Sequence, residues 1–180
     1  GNGAHNELTA GQKVSDSITV TSQDGTGHGT IAVNITGTND TATVSSATTA
    51  VSEGNSAADL NASGKLTIND ADTGEAHVVA KQSAGTYGTF NVDVNGNWTY
   101  AGNGAHDELT AGQKVSDSTT VTSQDGTASG TITVNITGTN DAPVIAPTKV
   151  EFQQGQVASA NLFNLKSVSF DPDGPLDEIT

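Results

Sequence analysis

The chain has 180 residues, with 20 acidic against 6 basic side chains, so its formal charge is 6 − 20 = −14. This charge argues against nucleic-acid binding, because recognition of a phosphate backbone needs a basic face. Cysteine and methionine are absent, which excludes disulfides, thiolate zinc sites and thiol chemistry. No apolar stretch approaches the length of a membrane span, so we expect no direct membrane insertion.

An internal repeat organises the sequence. Residues 1–40 recur as residues 102–141, and 35 of the 40 aligned positions are identical. A repeat this close indicates that one structural unit occurs twice. The five differing pairs are Asn6/Asp107, Ile18/Thr119, Gly27/Ala128, His28/Ser129 and Ala32/Thr133.

The repeated segment predicts a β-hairpin. Residues 18–21 and 31–35 alternate between apolar and polar side chains, which is typical of half-buried strands. Between them lies Gln23-Asp24-Gly25-Thr26-Gly27, a turn sequence. Residues 102–141 predict a second hairpin of the same kind.

The segment between the two copies also predicts strands. Residues 43–51 predict an edge strand, 65–68 a short strand and 76–81 another. Residues 89–94 and 98–100 flank Asn95-Gly96, a strong hairpin signal because Asn-Gly accepts positive φ. With the second hairpin this gives about seven strands in about 100 residues, the size of an immunoglobulin-like sandwich. The sequence therefore predicts an all-β fold of tandem immunoglobulin- or cadherin-like β-sandwich modules.

The repeat phase also predicts the domain organisation. Residues 1–40 are the C-terminal half of a preceding module, 41–141 form a complete module, and 142–180 begin a diverged following one. Because 1–40 and 142–180 are complementary halves, we expect neighbouring repeats as partners and consider head-to-tail association between copies.

Five blocks, taken together and in order, resemble the VCBS repeat; they are residues 64–68, 70–77, 87–90, 96–100 and 134–141. Such repeats build large bacterial surface proteins of the RTX-adhesin type that leave the cell by type I secretion. The resemblance implies an extracellular location at the bacterial cell surface. It also implies a spacer that projects a distal adhesive domain for cell adhesion or biofilm formation.

A more distant resemblance to cadherin domains implies calcium sites at the joints between modules. The linkers Thr38-Asn39-Asp40 and Thr139-Asn140-Asp141 are each followed by an Asp-x-Asp pair, although the first Asp of the cadherin linker is missing. Alternate strand residues share a face, so each Asp-x-Asp pair can point towards its linker. Oxygen ligands of this kind suit Ca²⁺. The candidate ligands are Asn39, Asp40, Asp70, Asp72 and Asp125 at the first joint, and Glu53, Glu108, Asn140, Asp141, Asp171 and Asp173 at the second.

Other interpretations stay open at this stage. The joint carboxylates could be solvated turn residues, which are common. Trp98 and Tyr100 could form a carbohydrate-binding face, although a chain with few aromatic residues needs these side chains in its core. No arrangement of nucleophile, base and acid stands out, so we predict that the chain is not an enzyme.

Overall fold

The computed structural model of the chain describes residues 3–145, 169–170 and 172–173. Within these ranges the regular structure consists of strands and a single 3-10 turn at Ala57–Leu60, with no α-helix. The predicted all-β class is confirmed. None of the described elements is a helix long and apolar enough to cross a membrane.

The first element is the predicted hairpin, here called the first hairpin. It consists of β1 (Lys13–Thr21) and β2 (His28–Thr36), paired antiparallel so that Ile18 lies opposite Ile31. Both strands are exposed along almost their whole length. Within the described residues the first hairpin is therefore a two-stranded sheet with no layer packed over it.

Residues 41–141 contain nine strands, in chain order β3 (Thr43–Val44), β4 (Ala47–Ser52), β5 (Ala62–Lys65), β6 (Ile68–Asn69), β7 (Lys81–Ala84), β8 (Gly88–Val92), β9 (Asn97–Gly102), β10 (Lys114–Thr122) and β11 (Ser129–Thr137). One sheet has the order β10-β11-β4 and another the order β5-β9-β8-β7, while β3 pairs with β6. Strand β4 runs parallel to β11, and the other pairs are antiparallel.

A single apolar core lies between these sheets. The four-stranded sheet contributes Phe90, Val92, Trp98 and Tyr100. The hairpin formed by β10 and β11, here called the second hairpin, contributes Val121, Ile132, Val134 and Ile136. Leu60, Leu66, Val78 and Leu109 fill the space from the connecting segments. Alternation along β11 places every second residue inside, as its sequence predicts. This arrangement is consistent with a β-sandwich.

Three predicted strands differ from the observed ones. The predicted strand 65–68 is wrong, since β5 ends at Lys65 and β6 begins at Ile68. The predicted strand 43–51 is interrupted at Ser45 and Ser46, because the chain crosses there from the β3–β6 sheet to the edge of β11. The Ser45 amide donates to the Thr67 carbonyl, and the Ser46 hydroxyl oxygen accepts a bond from the Thr131 amide. The predicted strand 76–81 is also wrong, since it makes one bridge at Val78 before β7 begins at Lys81.

The described residues contain one closed core. They do not show the predicted series of complete sandwich modules. After β11, the chain forms β12 (Val144–Ile145), which pairs with β13 (Ser169–Phe170). The rest of the predicted following half-module, 142–180, lies outside the described residues, and its boundaries stay a prediction.

Candidate metal centre

The two linkers have the same local geometry, 101 residues apart. At the first joint the Asp40 amide donates to Asp72 Oδ2 at 2.8 Å, and at the second the Asp141 amide donates to Asp173 Oδ2 at 3.3 Å. The preceding asparagine in each linker donates from Nδ2 to the carbonyl of its aspartate, at 2.8 Å for Asn39 and 3.0 Å for Asn140. Each linker is thus tied to the second Asp of the Asp-x-Asp pair that follows it.

The second joint brings together carboxylates from three separate places in the chain. Glu53 follows β4, Asp107 lies in the loop before β10, and Asp141 follows β11. Each offers a carboxylate oxygen within 4.8 Å of the other two, and this is the one such acidic group among the described residues. We refer to these three side chains as the acidic triad. Because its members flank the exit of the chain from the core, the acidic triad lies where residues 41–141 join the following segment.

Two oxygens of the acidic triad have no hydrogen-bond partner. Glu53 is 3% exposed, and its Oε1 accepts bonds from the amide and hydroxyl of Thr139, whereas its Oε2 accepts none. Asp107 Oδ1 is likewise buried without a partner. A buried carboxylate oxygen is costly unless a donor or a cation satisfies it. The acidic triad therefore has the charge and the vacant lone pairs that a hard cation would satisfy.

The structure corrects the expected role of Glu108. Its side chain is 65% exposed and lies 2.8 Å from His106 Nδ1, outside the acidic triad. The hydrogen bond with His106 lowers the pKa of Glu108. Its neighbour Asp107 takes the expected place because consecutive side chains point in different directions. The only signal in the sequence was the Asn6/Asp107 difference, which changes the charge of the repeat at this position.

The first joint gathers the expected residues through hydrogen bonds. Asp70 Oδ1 accepts a bond from the Asp72 amide, and the Thr73 amide donates to the Glu7 carbonyl of the preceding segment. Asp72 is 2% exposed. Its Oδ1, like Asp70 Oδ2, is buried without a partner. The same signature of unsatisfied carboxylate oxygens thus occurs at both joints.

Asp125 plays a different part at the first joint. Hydrogen bonds from the Ser123 and Thr127 hydroxyls hold the pKa of Asp125 well below its usual range. Its Oδ2 also accepts a bond at 3.1 Å from Asn39 Nδ2. The equivalent Asp24 bonds to Ser22 and Thr26 in the same way. Asp125 therefore closes its own turn and orients the linker, with its lone pairs already engaged.

Glu75 is an acidic neighbour that the sequence did not single out. Desolvation, and then the negative charges of Asp72 and Asp70, raise the pKa of Glu75. Glu75 therefore adds another carboxylate beside Asp70 and Asp72. Of the remaining expected ligands, Asp173 lies at the second joint and Asp171 lies outside the described residues.

The aromatic residues belong to the core. Trp98 and Tyr100 are buried, and the Gly64 Cα lies so close to the Trp98 ring that an added Cβ would be 2.7 Å from it. The Tyr100 hydroxyl donates to Asp117 Oδ2 at 2.6 Å. Their ring faces are therefore covered by protein, and the carbohydrate-binding alternative draws no support from them.

No family model matches the chain, and no curated protein matches it either.

Proposed function

We propose that the chain is a calcium-stiffened extender of a bacterial cell-surface adhesin. In this proposal residues 41–141 are one module of a tandem array of the VCBS type, and the array projects a distal adhesive domain. The single observation that carries the proposal is the acidic triad, with buried oxygens of Glu53 and Asp107 that accept no hydrogen bond. Calcium is the proposed ion because it takes six to eight oxygen ligands from carboxylates and backbone carbonyls in flexible geometries.

The proposed mechanism is electrostatic. Without an ion, carboxylates crowded at a joint repel one another and favour an open linker. With an ion, Glu53 and Asp107 are tied to Asp141, and the linker bond from Asp141 to Asp173 extends this tie into the next segment. Extracellular calcium modules bind with dissociation constants of roughly 10⁻⁴–10⁻³ M. An array of this kind stiffens in an external medium, as a surface extender requires.

The first test is Asp107→Asn, which changes one ligand and one charge. Asparagine already stands at the equivalent position 6, so the loop accepts this residue. We expect 10 mM Ca²⁺ to stabilise the parent chain by about 1.4–2.7 kcal/mol, the value for a ligand at about 10–100 times its dissociation constant. The variant should lose most of this gain. In EDTA it should be at least as stable as the parent, because a repulsive charge is removed.

Glu108→Gln is the matched control, since it neutralises the adjacent exposed carboxylate and should leave the calcium response unchanged. Thermal melts in Ca²⁺ and EDTA, with isothermal titration of Ca²⁺, give both readouts. Small-angle scattering then tests stiffening. A maximum dimension that does not change between Ca²⁺ and EDTA would contradict the extender proposal, even if the ion binds.

A further inference from the structure

One difference between the two repeat copies changes a carboxylate. Of the five positions that differ between residues 1–40 and 102–141, only Asn6/Asp107 exchanges an acidic side chain for a neutral one. The other four lie in the strands of the two hairpins or in their turns. Asp107 belongs to the acidic triad at the second joint. The repeat therefore contains a natural substitution at a proposed metal ligand.

The loop that carries this residue has the same conformation in both copies. His5 and His106 both take a positive φ, 57° and 66°. Their Nδ1 atoms lie 3.0 Å from Glu7 Oε1 and 2.8 Å from Glu108 Oε1. The leucine after each glutamate is buried, and its amide donates to the carbonyl of the histidine. The residue between histidine and glutamate is therefore held in the same way in both copies.

The loop is also tied to its linker in the same way. A glycine of each loop donates at 2.9 Å to the carbonyl of the glycine that precedes the linker, Gly37 or Gly138. A Cβ at Gly37 or Gly138 would lie 2.3 or 2.4 Å from a carbonyl oxygen of that loop, so the two segments are in close contact. Asn6 therefore has the same place relative to the first linker that Asp107 has relative to the second.

The first joint also offers a buried carboxylate oxygen next to this loop. The carbonyl of Glu7, the neighbour of Asn6, accepts a bond at 3.1 Å from the amide of Thr73. The loop thus lies against the residue that follows Asp72. Asp72 is 2% exposed, and its Oδ1 accepts no hydrogen bond. A cation at the first joint would therefore meet a carboxylate from Asp72 and only a neutral amide oxygen from Asn6.

The charge of a ligand controls how tightly calcium is held. Carboxylates and asparagine carbonyls both coordinate calcium, but the number of charged ligands changes the dissociation constant over several orders of magnitude. Asparagine at this place keeps an oxygen ligand and removes one negative charge. We expect this exchange to change the dissociation constant by about tenfold or more.

We propose that the residue at position 6 or 107 determines the calcium affinity of its own joint. Aspartate at this place fills the joint at a lower calcium concentration, and asparagine fills it at a higher one. In a tandem array that carries both residues, the joints stiffen one after another as calcium rises. This inference rests on the proposed calcium function and adds the residue that sets the affinity of each joint.

The test introduces the missing carboxylate at the first joint. Asn6→Asp should lower the calcium dissociation constant of the first joint by about tenfold or more and leave that of the second joint unchanged. The amide NMR signals of Thr73 and Thr139 report the two joints separately during a calcium titration, because each amide donates a hydrogen bond within its own joint. We call the calcium concentration at half of the signal change the midpoint.

A double variant exchanges the two residues. In Asn6→Asp with Asp107→Asn, the Thr73 midpoint should fall and the Thr139 midpoint should rise, since each joint then has the other's residue. Both changes should be about tenfold or more. The two shifts occur in one chain of unchanged net charge, so a general change in attraction for calcium does not explain them.

Ala4→Asp is the matched control, because it adds the same charge to the same exposed loop two residues away. In about 0.15 M salt the screening length is about 8 Å, which weakens the general attraction of an added charge. The Thr73 midpoint should then shift by less than about twofold. An equal gain from Ala4→Asp, or a Thr73 midpoint that Asn6→Asp does not lower, would overturn this inference while a responsive Thr139 signal still supports the calcium proposal. A Thr139 signal of the parent chain that does not respond to calcium would contradict the calcium proposal and this inference with it.

Discussion

The Tyr100 hydroxyl and the Asp117 carboxylate form a polar contact inside the apolar core. Asp117 accepts bonds from the hydroxyl and from the Thr86 and Tyr87 amides, so its charge is fully engaged although it is buried. The contact is tight, since a Cβ added at Gly85 would lie 2.2 Å from Asp117 Oδ2. It joins β9 to β10 and so holds the two layers in one relative position.

This contact predicts a stability loss in alkaline solution. Burial, and then the hydrogen bond to Asp117, raise the pKa of Tyr100 far above its ordinary value. The unfolded chain ionises this tyrosine near pH 10 while the folded chain keeps it protonated, so its contribution is present below pH 10 and is lost as the pH rises. Tyr100→Phe should be less stable by roughly 1.5–3 kcal/mol at pH 8.

Above pH 10 the difference in the free energy of unfolding between the parent and Tyr100→Phe should narrow by up to about 1.4 kcal/mol for each pH unit. We call this difference the gap. Urea denaturation of both proteins from pH 8 to 11 measures the gap directly, because lysines and other shared groups cancel in the difference. A gap that is constant across this range would show that the Tyr100 proton is not coupled to folding.

At the scale of the element, the hairpin of β8 and β9 depends on one glycine. Gly96 has φ +77°, its amide donates to the Asp93 carbonyl, and its carbonyl accepts a bond from Leu66. A Cβ there would lie 2.7 Å from Ile68 Cδ1 and 3.1 Å from the Leu66 carbonyl oxygen. Gly126 has nearly the same φ, +76°, with open space around it. Alanine substitutions at Gly96 and Gly126 therefore separate the cost of backbone strain, which both share, from the cost of crowding, which only Gly96 has.

We expect Gly126→Ala to cost about 1–2 kcal/mol, the ordinary penalty for a side chain in the left-handed region. Gly96→Ala should cost about 1–3 kcal/mol more, because Ile68 and the Leu66 backbone must shift to admit the methyl group. Chemical denaturation of the two variants gives the comparison. Equal losses would mean that the β8–β9 turn is not packed against β6.

The hairpins were predictable from the sequence because local rules determine them. Asn95-Gly96 and the Asp-Gly turns require positive φ, and strand alternation follows from a period of two. The break at Ser45 was not predictable, since it arises where a strand moves between sheets.

Within the acidic triad, Glu53 and Asp141 were expected and Asp107 was not. Which of two adjacent acids points inward depends on loop packing, and His106, which holds Glu108 outside, has φ +66°.

At the scale of the whole molecule, one sequence occurs in two environments. The first and second hairpins share register, turns and nearly all residues. The second hairpin packs on the core, whereas the strands of the first are exposed. A two-stranded hairpin alone is at best marginally stable in water. Packing against residues 41–101, rather than strand propensity, therefore supplies most of the stability of the second hairpin.

Hydrogen exchange measures this difference with unusual directness, because identical residues have nearly identical intrinsic rates. Peptides that contain Ile18 or Thr119 identify the two copies by mass. We expect amides of β10 and β11 to be protected at least about 100-fold more than those of β1 and β2, since core strands open with free energies near the global value. Equal protection in dilute parent chain would contradict this expectation.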